Sequence, residues 1–345
     1  PAHNTCYHCH ERSEGHSTDG ASQRASDETP IHRVKTTNSP KNMSFSDDND
    51  KSFQQRMLDF LKKTTEIGTP PQGSGQIAID STRQTQAKQL VHNWAQSPSS
   101  SPFTKVSAQD FVTDLLKRLD APDEVNQSFL NVCGAATFKR FWLKSDPEGY
   151  TQTVLQLYQH GKAQYRNVPL EAHAEMFVQT SPLNVADWLV TASLQNASGY
   201  LGYNPNAEMG GVRGIALPHK VRFWLENLPN HSCQHLSACP STDLLNSTFQ
   251  QGGAVVWLVN INHLDDYFTN AIYRNTDDGV KQKLATFFNG LTGNHYIALN
   301  SPITATADGK ARFEVWTWGT SLEVIIPTSE LHKCVTQTFL LSPIA

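Results

Sequence analysis

Residues Gln127–Trp142 read QSFLNVCGAATFKRFW, and Cys133 opens a run of helix-forming residues within them. The pattern predicts an α-helix over residues 128–143. A thiol at the start of a helix meets the positive end of the helix dipole and unpaired N–H groups, and both favour the thiolate. Gly134 and Ala135 are small enough to let a substrate backbone approach the sulfur. Cys133 is therefore a candidate nucleophile, and a buried structural cysteine near a helix start is the alternative.

A histidine with complementary chemistry stands much later in the chain. His295 begins the run HYIALN, which follows a glycine turn and predicts a β-strand over residues 295–300. At the start of a strand an imidazole can be presented at the edge of a sheet, where it would accept a proton from a thiol. The alternative is a surface or hydrogen-bonded histidine, the usual role of any one of the 14 histidines here.

Together these segments resemble the papain-like cysteine peptidase superfamily, including its bacteriocin-processing branch. Members carry a Gln six residues before the nucleophile, as Gln127 stands before Cys133, and their catalytic His opens a strand far downstream, as His295 does. The next strand in the papain branch ends in a Ser-Trp-Gly motif, which the Thr-Trp-Gly at 317–319 resembles. The resemblance covers roughly residues 107–330. It implies that Cys133 attacks a carbonyl, that His295 transfers the proton, and that Gln127 and the Cys133 N–H form the oxyanion hole.

One position departs from this pattern. Papain-like enzymes place an Asn or Asp just before the Ser-Trp-Gly motif to orient the imidazole, and this chain has Trp316 there. An indole ring cannot accept a hydrogen bond from an imidazole N–H. Alternation along the strand puts Glu314 on the same face as Trp316, so Glu314 is the predicted orienting residue. Asn300 is a second possibility, and a Cys–His dyad without a third member is another.

The order of the predicted elements indicates an α+β fold. Helical spacing or helix-start signals mark residues 107–119, 128–143, 149–161, 182–197 and 218–228. Short β-branched or aromatic runs then follow at 254–260, 295–300, 311–318 and 321–326. We therefore expect a papain-like arrangement: a helical N-terminal half whose central helix carries the nucleophile, followed by a C-terminal antiparallel β-sheet.

Composition divides the chain into three parts. Residues 1–50 have few apolar side chains and are predicted to be a disordered polar tail. Residues 51–102 are predicted to form a small helical pre-domain that ends in a Ser/Pro linker, SPSSSP. Residues 103–345 are long enough to bury one sizeable core and are the predicted catalytic domain.

The charge balance and the missing motifs exclude several kinds of function. The 28 Lys and Arg residues against 32 Asp and Glu give a net charge of -4, which argues against a nucleic-acid partner. No apolar run reaches the ~20 residues of a membrane span. We find no Walker loop, Rossmann fingerprint or His-Glu-x-x-His helix, so nucleotide use and zinc proteolysis are not expected, and no cofactor is predicted.

The remaining cysteines give weaker signals. Residues 6–10, CYHCH, match a haem-attachment pattern and could bind zinc, but neither matching ligands at finger spacing nor an apolar haem pocket accompanies them, so we predict no metal site. Cys233 and Cys239 could form a loop disulfide, remain free thiols, or bind metal with neighbouring histidines. Cys334 is interpreted as structural, and it is the rival nucleophile because His332 stands beside it.

The resemblance implies a cysteine hydrolase that acts on amide bonds of a protein or peptide substrate. A glutamine deamidase or transglutaminase could use the same fold, and a non-catalytic interaction module on a degenerate papain scaffold is a further alternative. The polar tail without a Sec-type signal is similar to bacterial effectors or toxins. That similarity implies a virulence protein, cytoplasmic before export and secreted by a specialised system.

Overall fold

Helices occupy the first part of the chain and an antiparallel sheet the second. The computed structural model describes residues 77–125, 132–179, 184–198, 216–269 and 295–344. Over these residues the predicted α+β class is confirmed. The predicted tail and most of the predicted pre-domain lie outside them. Within the same ranges, each helix is too short or too polar to cross a membrane.

The helices start and stop at local signals that the sequence carries. In chain order they are α1 (Ser81–Ala95), α2 (Ala108–Asp120), α3 (Cys133–Ser145), α4 (Pro147–His160), α5 (Val185–Ser198), α6 (Pro218–Glu226), α7 (Thr242–Gln250), α8 (Ile261–Leu264) and α9 (Thr328–Cys334). Ser107 and Asp146 cap α2 and α4, because their side chains accept backbone N–H groups of the first turn. Gly161, with a φ of 70°, ends α4 in the left-handed conformation that glycine adopts without strain.

The strands form one large sheet and one separate hairpin. They are β1 (Lys162–Tyr165), β2 (Val168–Glu171), β3 (His231–Leu236), β4 (Ala254–Val259), β5 (His295–Leu299), β6 (Thr304–Ala305), β7 (Lys310–Thr317), β8 (Thr320–Pro327) and β9 (Val335–Pro343). The hairpin is β1–β2, and the large sheet has the order β3-β9-β4-β5-β7-β6, with β8 also paired to β7. All of these pairings are antiparallel, which confirms the antiparallel C-terminal sheet, whereas the β1–β2 hairpin and strands β3, β6 and β9 were not predicted.

Each face of the large sheet packs against its own hydrophobic cluster. On β5, Tyr296 and Ala298 face the helices α2 to α6, and Trp316 of β7 joins them. Ile297 and Leu299 face the opposite way, into a second cluster with residues of α7, α8 and α9. Because successive side chains of a strand point to opposite faces, β5 is buried on both sides.

The described part of the predicted pre-domain is not a separate unit. Helix α1 packs against α2 and α4, and Arg83 binds Asp146 at 2.9 Å. The predicted linker is also held, since the Ser101 hydroxyl donates to the Tyr158 carbonyl at 2.7 Å and Phe103 is buried. Residues 77–102 therefore share the core of the residues that follow them.

Candidate active site

Cys133 is the first residue of α3 and is almost completely buried, with 8% of its surface exposed. Its sulfur accepts backbone N–H groups, including that of Tyr296 on β5 and that of Gly134. Burial nevertheless raises the pKa of Cys133 to about 11, although these N–H groups act in the opposite direction. In this structure the thiol is therefore favoured over the thiolate, because loss of hydration outweighs the effect of the helix start.

Gly134 permits a close packing of α3 against two other elements. A Cβ atom at this position would lie 2.8 Å from Ala216 Cβ and 2.8 Å from Val221 Cγ2. It would also lie 3.3 Å from Cδ2 of Tyr296. The space at Gly134 that was expected to admit a substrate backbone is filled here by Ala216, by Val221 of α6 and by Tyr296 of β5.

His295 is the first residue of β5 and is held from two sides. Its Nε2 lies 2.6 Å from the hydroxyl oxygen of Thr317, the last residue of β7. The indole of Trp318 stacks on the imidazole with the ring centroids 4.7 Å apart. Burial lowers the pKa of His295 to about 3, so the ring is neutral near neutral pH. Nδ1 is the ring nitrogen that would exchange a proton with a thiol.

The stacking residue stands in a strained turn. Trp318 and Gly319 connect β7 to β8 and have φ values of 49° and 78°. A two-residue hairpin loop with positive φ at both positions matches the twist of the flanking strands, but it usually takes Asn or Gly at the first position. A bulky residue in this conformation costs on the order of 1–3 kcal/mol and persists only where its surroundings impose it. Despite this cost, the turn places the indole of Trp318 against the imidazole of His295.

Cys133 and His295 come to the same end of β5. Helix α3 packs along this strand, and the Cys133 sulfur meets the backbone of Tyr296, the residue next to His295. Alternation directs Tyr296 towards α3, whereas His295 pairs with Val259 and lies on the side of the second cluster. The two side chains thus lie near the same end of β5 but are directed to different sides of the sheet.

The remaining predicted site residues are placed differently. Gln127 lies outside the described residues. Glu314 is level with Asn300, whose N–H donates to its carbonyl at 2.8 Å. Five residues of β5 separate that level from His295, about 17 Å along the strand. Glu314 therefore does not reach the imidazole, and Asn300 is engaged by Arg140 at 2.8 Å.

Thr317 is the imidazole partner that sequence reasoning missed. It belongs to the Thr-Trp-Gly motif and was noted only as part of that motif. Trp316, which replaces the expected Asn or Asp, points to the other face of β7 and donates its indole N–H to the Asp123 carbonyl at 2.6 Å. The side chain that faces His295 is thus one residue later than the family pattern suggested. Identifying it requires the register of the β5–β7 pair, which places Thr317 rather than Glu314 towards the start of β5.

The other cysteines do not form a second site within the described ranges. Cys233, Cys239 and Cys334 are free thiols, and burial raises the pKa of each to about 12. Cys233 lies on β3 rather than on the predicted loop. Among the residues that the structure describes, no group of three His, Cys, Asp or Glu side chains could hold a metal ion. The CYHCH segment at 6–10 is not among those residues.

Comparison of the chain with protein families, curated proteins and solved structures found no match.

Proposed function

We propose that this protein is a cysteine hydrolase with a papain-like catalytic arrangement that acts on amide bonds of a protein or peptide substrate. One observation supports the proposal: the thiol at the start of α3 contacts the backbone of Tyr296, the residue next to the imidazole-bearing His295 at the start of β5. Nucleophilic catalysis needs this kind of juxtaposition of a thiol and a base. The hydroxyl of Thr317 on Nε2 leaves Nδ1 of His295 for the proton.

The proposed reaction begins from two neutral groups. As the Cys133 sulfur attacks the carbonyl carbon, its proton passes to Nδ1 of His295 and the carbonyl oxygen becomes an oxyanion. The Cys133 N–H and the Gln127 side chain would stabilise that oxyanion. The tetrahedral intermediate then expels the amine, which takes the proton from His295, and water hydrolyses the resulting thioester. Proton transfer has to accompany attack, because burial disfavours the charged form of both groups.

The amide bond that is attacked and the molecule that accepts the acyl group from the thioester together decide between related activities. Water acting on a thioester from a peptide bond gives proteolysis, and water acting on a thioester from a glutamine side chain gives deamidation. An amine in place of water gives transamidation. These reactions share the same nucleophile and base, so the proposal extends to all three.

A second candidate is a non-catalytic interaction module on the same scaffold. Two observations favour it: burial moves the pKa of Cys133 up and that of His295 down, and the imidazole is bound to a neutral hydroxyl. A thiolate–imidazolium pair needs the opposite shifts. The same chain cannot be both inert and turning over substrate, so activity decides between the candidates.

A thiol-directed probe tests the assignment of the nucleophile. The full chain, Cys133→Ala and Cys334→Ala would be treated with an epoxysuccinyl or iodoacetamide reagent, and the labelled peptide identified by mass spectrometry. We expect labelling of the wild type and of Cys334→Ala at Cys133. Undiminished labelling of Cys133→Ala would remove Cys133 as the reactive thiol.

Comparison of protein termini tests the reaction. A proteome digested with the wild type and with Cys133→Ala would be labelled at its new N-termini. Cys133-dependent termini support peptidase activity, whereas Cys133-dependent conversion of Gln to Glu without new termini supports deamidation. Neither change, on a broad range of substrates, leaves the non-catalytic module as the better description.

A further inference from the structure

We infer that Arg140 is a positioning residue that sets the register between the nucleophile helix α3 and the histidine strand β5. This inference rests on the proposed function, since it assigns Arg140 a part in bringing Cys133 and His295 together. Arg140 lies far along the helix from the thiol, and its role follows from what its guanidinium group binds.

Arg140 lies on the same face of α3 as Cys133. Positions seven residues apart on a helix are stacked above one another after two turns, here about 10.5 Å along the axis. Both side chains are buried, and α3 packs against β5. The face of α3 that begins with Cys133 therefore continues to the buried Arg140, two turns further along the helix.

The second contact of this face is made with the residue that follows β5. Arg140 Nη2 donates to Oδ1 of Asn300 at 2.8 Å. Asn300 is itself buried and donates its side-chain amide to the Ser321 hydroxyl. Cys133 meets Tyr296 at the start of β5, and Arg140 meets Asn300 beyond its end, about 13 Å further along. Two contacts at this separation prevent the helix from sliding along the strand.

Arg140 also binds the segment that leads towards Gln127. Its Nε donates to Asp123 Oδ1 at 2.6 Å, and Lys144 binds the same carboxylate at 2.8 Å. Burial raises the pKa of Asp123, but the two cations Arg140 and Lys144 lower it by more. The net pKa lies below the ordinary value, so the carboxylate stays charged. Gln127 follows four residues later.

The network closes on the strand next to β5. The guanidinium group lies over the indole of Trp316 on β7, 5.0 Å from the ring centroid. The indole N–H of Trp316 in turn donates to the Asp123 carbonyl. β7 also carries Thr317, the partner of His295. One guanidinium group thus joins the nucleophile helix, both strands that hold the imidazole, and the approach to Gln127.

The test uses a second buried arginine as a control, so that an effect on the register of α3 and β5 can be distinguished from an effect on stability. Arg118 on α2 is similarly buried and binds Asp187 on α5 through two nitrogens at 2.8 and 2.7 Å, away from β5. The variants are Arg140→Lys, Asn300→Ala and the control Arg118→Lys, each in the full chain. Asn300→Asp is the rescue variant, because it keeps an acceptor for Arg140 and the Ser321 hydroxyl can donate to it.

The readout is the rate of Cys133 alkylation by iodoacetamide as a function of pH, with mass spectrometry to locate the label. We expect Arg140→Lys and Asn300→Ala to change the rate or its pH profile by about tenfold or more, since displacements near 1 Å have effects of that size. Asn300→Asp and Arg118→Lys should stay close to the wild type in this profile. Urea unfolding of each variant measures stability independently.

Two results would overturn the inference. One is a wild-type alkylation profile in both Arg140→Lys and Asn300→Ala; the other is an equal change in Arg118→Lys at equal loss of stability. If Arg140→Lys fails to fold, the comparison of Asn300→Ala with Asn300→Asp decides alone. Alkylation does not require turnover, so an inactive wild type with a shifted profile would reject the proposed function and leave the register role standing.

Discussion

The hydroxyl oxygen of Thr317 lies 2.6 Å from Nε2 of His295, where the proposed catalytic arrangement calls for an Asn or Asp side chain. A hydroxyl can fix the direction of the imidazole ring, but it carries no charge to balance an imidazolium ion. This relationship separates the two tasks of the third residue, orientation and charge stabilisation.

Thr317→Asp should raise the pKa of His295. A carboxylate within a few ångströms favours the charged imidazole, so the pKa should rise from about 3 by at least about one unit. NMR titration of ring-labelled histidine measures it. Thr304→Asp on β6, an exposed position, is the control and should leave His295 unchanged. An unaltered pKa in Thr317→Asp would mean that this hydroxyl does not face the ring in solution.

The alkylation rate of Cys133 should rise about tenfold per pH unit between pH 7 and about pH 11. The thiolate is the reacting form, and its fraction grows in this way below the pKa, which burial raises to about 11. Iodoacetamide kinetics with peptide mapping provide the measurement. A plateau that begins below the ordinary cysteine pKa of about 8.5 would instead reveal a thiolate–imidazolium pair.

Gly134→Ala should destabilise the protein by about 1–3 kcal/mol, the usual cost of overpacking a core. The added methyl group would lie 2.8 Å from atoms of both Ala216 and Val221. Urea unfolding gives the free energy of unfolding. Gly309→Ala is the comparison, because a Cβ there meets nothing within 4 Å and only the positive φ of 77° is strained. If Gly134→Ala costs less than Gly309→Ala, α6 does not pack against α3 as described.

Asp187→Asn should cost about 3–5 kcal/mol, because it leaves two buried cations without their shared carboxylate. Arg118 and Lys139 both bind Asp187, and all three side chains are buried. Lys139→Met should cost much less, since it leaves the two-nitrogen contact between Arg118 and Asp187 intact. Thermal unfolding of the three proteins compares them, and equal losses in both variants would contradict this account.

The Lys139 pair also predicts a pH dependence. Burial lowers the pKa of Lys139 to about 8, whereas the unfolded chain keeps an ordinary value near 10.4. Between these values the unfolded chain binds a proton that the folded chain has released, so stability rises with pH. The stability of the wild type relative to Lys139→Met should therefore increase from pH 8 to about pH 10.5. A difference that is constant across this range would show that Lys139 keeps an ordinary pKa.

The helix that begins at Cys133 and the strand that begins at His295 are both predictable from local patterns. Each depends on a run of apolar residues next to a turn or helix-start signal. The third residue is not local, because it depends on which residue of β7 lies beside β5. Register pairs Ala298 with Trp316, and this places Thr317 rather than Glu314 near the imidazole. Alternation within one strand cannot reveal that pairing.

Strand β3 shows a different limit of sequence reasoning. Its sequence HSCQHL has no β-branched residue and only one large aliphatic side chain, so side-chain preference alone predicts a loop here. It forms because β9 offers a complete row of backbone partners, from His231 opposite Pro343 to Leu236 opposite Thr338. Backbone pairing to a neighbour imposes the strand where side-chain preference does not. Burial of Cys133 is likewise a tertiary effect, and it reverses the pKa expected from the helix start.

Strand β9 lies inside the sheet, between β3 and β4, although it follows every other described strand in the chain. During synthesis on a ribosome, β3 and β4 therefore emerge long before the strand that connects them. Contacts this distant in sequence form slowly and late in folding. The pairing of β4 with β5 sets His295 at its end of the sheet, and that sheet is complete only after β9 has been inserted. The end of β5 that carries His295 is consequently expected to reach its final position only once β9 has paired with both of its neighbours.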